Sequence, residues 1–96
     1  MPVQRYCFVR LAEPHIVARA AIAAEVRATL EAAGAVAEVG EPADDSAARW
    51  DLAIVVRCVD LPAWQRLAAT PAISALFAHT LPARAVVIKA WTFATP

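Results

Sequence analysis

Few side chains in this chain can do chemistry, and they cluster on a handful of segments. Arg5 and Cys7 stand two residues apart in a strand-like run, so both face one way. A guanidinium among apolar walls suits a carboxylate or an enolate. A thiol there becomes a nucleophile only if a nearby positive charge lowers its pKa. His79 follows Leu76 and Ile73 at spacings that let it flank one helix face. Histidine titrates near neutral pH and can serve as a general base, which makes His79 the candidate catalytic residue. The bland alternative is an exposed histidine at a helix end, meeting the last carbonyls.

Other chemistries lack their residues. His15 and His79 are the only histidines, too few for a metal site without a carboxylate cluster beside them. The two glycines, Gly34 and Gly40, cannot build a phosphate-cradling loop. Neither a metal nor a cofactor is therefore expected. Ser46 and Ser74 offer no Ser-His-Asp arrangement. Cys7 and Cys58 lie in separate strand-like runs and read as small buried hydrophobes.

The elements that must position these groups follow from periodicity. Gln4 to Leu11 reads as a strand with bulky apolar groups on both faces. Pro14 opens an alanine-rich helix that runs to Ala33, with Ile22, Val26, Leu30 and Ala33 as its stripe and Gly34 as its C-terminal cap. Val36 to Glu41 is a short strand, and Glu41 to Arg49 an exposed loop. Asp51 to Val59 is the clearest strand. Asp60 caps the next helix, whose inner stripe is Trp64, Leu67 and Ala68. Thr70 caps a second helical piece with Pro71 in its first turn, and Pro82 ends it. Ala85 to Phe93 is the last strand. The order β-α-β-β-α-β predicts an α+β, ferredoxin-like domain over residues 1–96: a four-stranded antiparallel sheet with helices on one face.

Composition then asks what covers the other face. Of the residues 60% are hydrophobic, an excess for one small domain, yet no run reaches the ~18 apolar residues of a membrane span. No secretory leader opens the chain, so the expected compartment is the reducing cytoplasm. Nine basic residues balance nine acidic ones, which gives no basic patch for nucleic acid. The bare face collects Tyr6, Phe8, Val55, Val87, Lys89, Trp91 and Phe93. An apolar patch of that kind marks an interaction surface, and a second copy packed face to face would close it. Lys89 would reach the rim of that interface or pair with a carboxylate across it.

The run WDLAIVV from Trp50, then Asp60, the amphipathic helix, Pro71-Ala72 with a short helix, and the strand AVVIKAW resemble the stress-responsive dimeric alpha/beta-barrel (Dabb) family. The resemblance covers Tyr6 to Phe93. Antibiotic-biosynthesis-type monooxygenases share the same fold. The resemblance implies a homodimer whose sheets form a dimeric α+β barrel, and a pocket in each subunit between sheet and helices. Some relatives are enzymes, among them a plant polyketide cyclase and a plant hydroxynitrile lyase. Cyclase-like relatives carry His-Pro-Ala-His after the second helix; this chain has Thr70-Pro71-Ala72-Ile73. Ile73 stands where the catalytic histidine would be, and Leu67 where a helix tyrosine would orient it. Arg5 and Leu52 fall where relatives place pocket histidines. The cyclase mechanism does not transfer.

With such a pocket, Arg5, Cys7, Leu52, Ile54, Leu67, Ile73 and His79 are the expected ligand-binding residues, and the ligand a small apolar or anionic molecule. A second reading is a cofactor-independent cyclase, lyase or monooxygenase, with His79 as base and Arg5 steadying an enolate. A third is a structural dimer whose interior is filled by its own side chains. Cavity volume separates the third from the others, since ligand pockets start near ~300 Å3. The residues alone leave open whether the protein is an enzyme.

Overall fold

A computed structural model describes residues Met1–Pro96. Strand β1 (Val3–Leu11) and strand β3 (Leu52–Cys58) form the centre of a four-stranded antiparallel sheet. Strand β2 (Val36–Gly40) flanks β3 and strand β4 (Ala85–Ala94) flanks β1, which gives the order β2-β3-β1-β4. Register fixes the faces. Cys7 lies between Ile54 and Ala90, and Tyr6 between Val55 and Trp91. Alternate residues therefore divide cleanly between a helix-covered face and an open one. The fold class is α+β and ferredoxin-like.

The long N-terminal helix of the sequence reading is broken. A single turn, α1 (Glu13–Ile16), is followed by α2 (Arg19–Ala32), with Val17 and Ala18 between them. Ala18 has left the helical region at φ −97°, ψ 11°. The break frees Arg19 to meet Asp51 at 3.2 Å and Glu41 at 3.5 Å. It also lets Ile22, Ala23, Val26 and Leu30 face the sheet. The far end behaves as the glycine suggests. Gly34 takes φ 78°, its N–H bonds to the Glu31 carbonyl at 2.9 Å, and the Ala35 N–H bonds to the Leu30 carbonyl at 3.0 Å. Both bonds satisfy helix-end carbonyls, and only glycine takes that backbone cheaply.

Helix α3 (Leu61–Ala69) starts as expected: the Asp60 carboxylate accepts the Ala63 N–H at 2.8 Å. Thr70 does not do for α4 (Pro71–Ala75) what the sequence suggested. Its hydroxyl donates back to the Leu67 carbonyl at 2.7 Å, closing α3 instead. After α4 the chain widens into a π-helical turn, Leu76–Thr80, in which the Leu81 N–H bonds to the Leu76 carbonyl at 2.9 Å. A short 3-10 turn, Pro82–Arg84, leads into β4.

The core lies between helices and sheet. Val9, Leu11, Val26, Leu30, Leu52, Ile54, Val56, Ile73 and Leu81 are fully buried. Each such side chain contributes roughly 1.5–3 kcal/mol on leaving water. Asp51 is the one buried charged residue. Its carboxylate accepts the Leu11 N–H at 2.8 Å, at the point where the β1–β4 register slips between Arg10 and Leu11. The aspartate thus satisfies an amide that the ladder leaves out, and Arg19 balances its charge.

Candidate functional site

Between the sheet and the pair α3–α4 lies an open cavity of about 330 Å3. The strands supply Arg5, Cys7, Ile88 and Ala90; the helices supply Trp64, Ala68, Ile73, Ser74, Phe77 and Ala78. Pairing explains the floor: Cys7 lies beside Ala90, and small side chains at that rung leave space above them. The roof follows from spacing. Trp64 and Ala68 are four residues apart on α3, while Ile73 and Phe77 are four apart across α4 and the π turn. Ser74 and Ala78 are exposed at the mouth.

Arg5 brings the cavity its charge. Its guanidinium carbon lies 5.4 Å from the centre of the Trp64 ring, and Nη1 donates to the Thr92 hydroxyl at 3.0 Å. Ring and hydroxyl together hold the planar fork in one orientation. Cys7 is a poor nucleophile here. Burial pushes its thiol from 9.0 up to about 11, and the opposing pull of Arg5 is the smaller effect. The condition set by the sequence, a thiol with lowered pKa, is reversed. Cys58 is also raised, by burial and then by the negative charge of Asp60. Both cysteines are free thiols. No group of three His, Cys, Asp or Glu side chains is placed to hold a metal.

Of the residues singled out for ligand binding, the structure brings Arg5, Cys7 and Ile73 to the cavity wall. Leu52 and Ile54 share the same sheet face but are each 1% exposed, packed in the closed core away from the opening. Leu67 is half-buried against that core and does not line the cavity. His79 is exposed on the π turn and lies outside the lining. The extra residue of a π turn spoils the three-residue offset from Leu76 on which its placement rested. Trp64, Phe77 and Ile88 line the cavity although the sequence reading did not assign them there. For Trp64 the signal existed: it sits on the inner stripe of α3, above the strand that carries Arg5.

The open face of the sheet carries Tyr6, Phe8, Val55, Val87, Lys89, Trp91 and Phe93 on one side, as the register requires. The aromatic rings meet in two groups. Tyr6 meets Phe93 edge-on at 5.8 Å, and Phe8 lies 6.0 Å from Trp91 and 5.7 Å from Trp50. Tyr6 also donates its hydroxyl to the Gln4 side chain. Trp91 and Phe93 remain 46% and 57% exposed, large for such rings in a finished surface.

No family model and no curated protein matches the chain. Solved structures do. A Dabb family protein with a ferredoxin-like fold from Mesorhizobium loti superposes with a TM-score of 0.81 at 11% identity, over 99% of this chain and 97% of that one. A dimeric ferredoxin-like protein of unknown function from Bacteroides fragilis gives 0.77 at 14% identity, over 98% and 96%. SnoaB, a cofactor-independent oxygenase from Streptomyces nogalater, gives 0.73 at 16% identity, over 98% and 92%. The chain has their fold. At such identities the likeness is one of architecture, and the chemistry has to be argued from the cavity. No helix is long and apolar enough to cross a membrane.

Proposed function

We propose that residues 1–96 form a Dabb-type domain that pairs with a second copy through the open sheet face and holds a small apolar ligand in the cavity. The observation that carries this reading is the cavity: about 330 Å3, with eight of its ten lining residues hydrophobic. That volume reaches the range of small-molecule sites, ~300–1,000 Å3, and stands against an interior filled by its own side chains. In this reading Arg5, Cys7 and Ile73 touch the ligand together with Trp64 and Phe77, while Leu52 and Ile54 back the wall. Pairing covers Trp91 and Phe93, as the dimeric state of the Bacteroides fragilis relative supports. The protein would work in the cytoplasm, where its free thiols stay reduced.

Binding ranks ahead of catalysis for a physical reason. SnoaB puts oxygenase chemistry on this fold, but that reading needs a proton acceptor at the ligand here. His79 is exposed outside the cavity, and the Cys7 thiol, pushed to about 11, keeps its proton at neutral pH. Native mass spectrometry of gently purified protein tests the proposal. A dimer with a discrete adduct is the expected result. A monomer would sink the pairing, and a dimer that takes up no apolar compound would sink the ligand site.

A further inference from the structure

The charged group of the cavity lacks a counter-ion. Elsewhere, arginines that fold back on the protein have acceptors: Arg19 pairs with Asp51 and Glu41, Arg57 with Glu38 and Arg84 with Glu25, while Arg27 donates to the Val39 carbonyl. Arg10, Arg49 and Arg66 are exposed to water. Arg5 is half-buried and meets no carboxylate; its side chain donates to Thr92 alone. A guanidinium carries five N–H donors, so most of this fork is unused. A cation drawn partly out of water is costly unless something pairs with it.

The contacts it does make are orienting ones. The Trp64 ring, 5.4 Å from the guanidinium carbon, is a cation–π neighbour that uses none of the N–H donors. Thr92 takes one edge. What remains is a fork held still, at the wall of a cavity otherwise lined by Ile73, Phe77, Ile88 and Ala90. Resting on the ligand-binding reading above, we infer that the site takes a monocarboxylate: an apolar body against Phe77, Ile73 and Ile88, with its carboxylate on the free donors of Arg5. A planar carboxylate matches the fork geometry. A single arginine neutralises a single negative charge, whereas a phosphate dianion would bring an unpaired charge among apolar walls.

The test is a matched pair of probes, 2-naphthoate and its neutral analogue 2-naphthamide, titrated calorimetrically into the wild-type protein and Arg5→Met. The wild type should bind the carboxylate more tightly by roughly tenfold or more, the contribution of a charge-assisted hydrogen bond. Arg5→Met should lose that advantage, the carboxylate weakening by a larger factor than the amide. Equal affinities in the wild type, or a parallel loss of both probes in Arg5→Met, would overturn the carboxylate assignment while leaving the cavity a ligand site. Binding of neither probe to the wild type would overturn both readings. Should Arg5→Met fail to fold by circular dichroism, Arg5→Lys replaces it. That variant should weaken the carboxylate selectively, and an equal loss on the amide overturns the assignment.

Discussion

Along β1 the residues Val3, Cys7, Val9 and Leu11 disappear beneath helices, while their neighbours Tyr6 and Phe8 stay half-open on the other side of the same strand. Both sets are apolar and both are ordered by the same ladder. They differ in what lies above them. The helix side is a packed core, open only at the cavity, in which fully buried side-chain polar atoms are satisfied. The open side carries two groups of aromatic rings with water over much of Trp91 and Phe93. The contrast teaches that hydrophobicity alone does not say where a side chain is buried. Inside one chain it drives folding; on a face left bare it stores the driving force for association.

The largest way to break the comparison is on the covered face. Leu52→Ala should cost roughly 2–5 kcal/mol of folding stability, since Leu52 is fully buried and its truncation opens a cavity in the core. Urea unfolding measures it, and a cost below about 1 kcal/mol would mean the core is looser than its packing implies. Next comes the open face. Trp91→Asp puts a charge into the proposed interface and should weaken pairing by roughly 100-fold, about 3 kcal/mol, while barely moving monomer stability. Light scattering across a dilution series decides it, and retention of the dimer mass would exclude this face as the contact.

A smaller effect sharpens the dryness of the covered side. The Cys7 thiol is raised by burial from 9.0 to about 11 in the folded protein, so the folded chain holds its proton where the unfolded chain has lost it. Stability is therefore intact below about pH 9 and falls as pH rises towards 11, by on the order of 2 kcal/mol. Chemical unfolding at pH 8 and pH 10.5 should show that fall in the wild type, and Cys7→Ala should show less of it. The smallest effect belongs to neither face. His79→Ala, on the exposed π turn, should change stability by less than about 0.5 kcal/mol and leave uptake of apolar probes intact. A lost ligand site in that variant would return His79 to the cavity.

Much of the fold was legible because it rests on local chemistry. Alternation placed the strands to within a residue or so, and Asp60 and Gly34 marked helix ends by mechanisms that act within a few residues. What failed was non-local. The break at Val17–Ala18 goes with a contact to Asp51, which lies just before β3 and meets Arg19 only once the chain is folded. Thr70 had two helices to serve, and the choice between them is a matter of backbone angle. The cavity was half legible for the same reason. Periodicity assigns Cys7, Leu52 and Ile54 to one sheet face, but which of them meets a void depends on where the helices lie across it. Leu52 and Ile54 are sealed in the core, whereas Cys7, beside Ala90, faces the opening left near α3 and α4.

The π turn at Leu76–Thr80 has an evolutionary corollary. Such a turn holds one residue more than the α-helix it interrupts, and each residue of an α-helix rotates the chain by about 100°. Loss of a single codon between Ala78 and Leu81 would restore the regular winding and rotate the chain that follows by about 100°, reshaping the rim of the cavity while Ile73 and Phe77 keep their places. Descendants of this chain could thus change what the cavity admits by altering the length of one helix, while the strands, and the open face proposed for pairing, stay as they are.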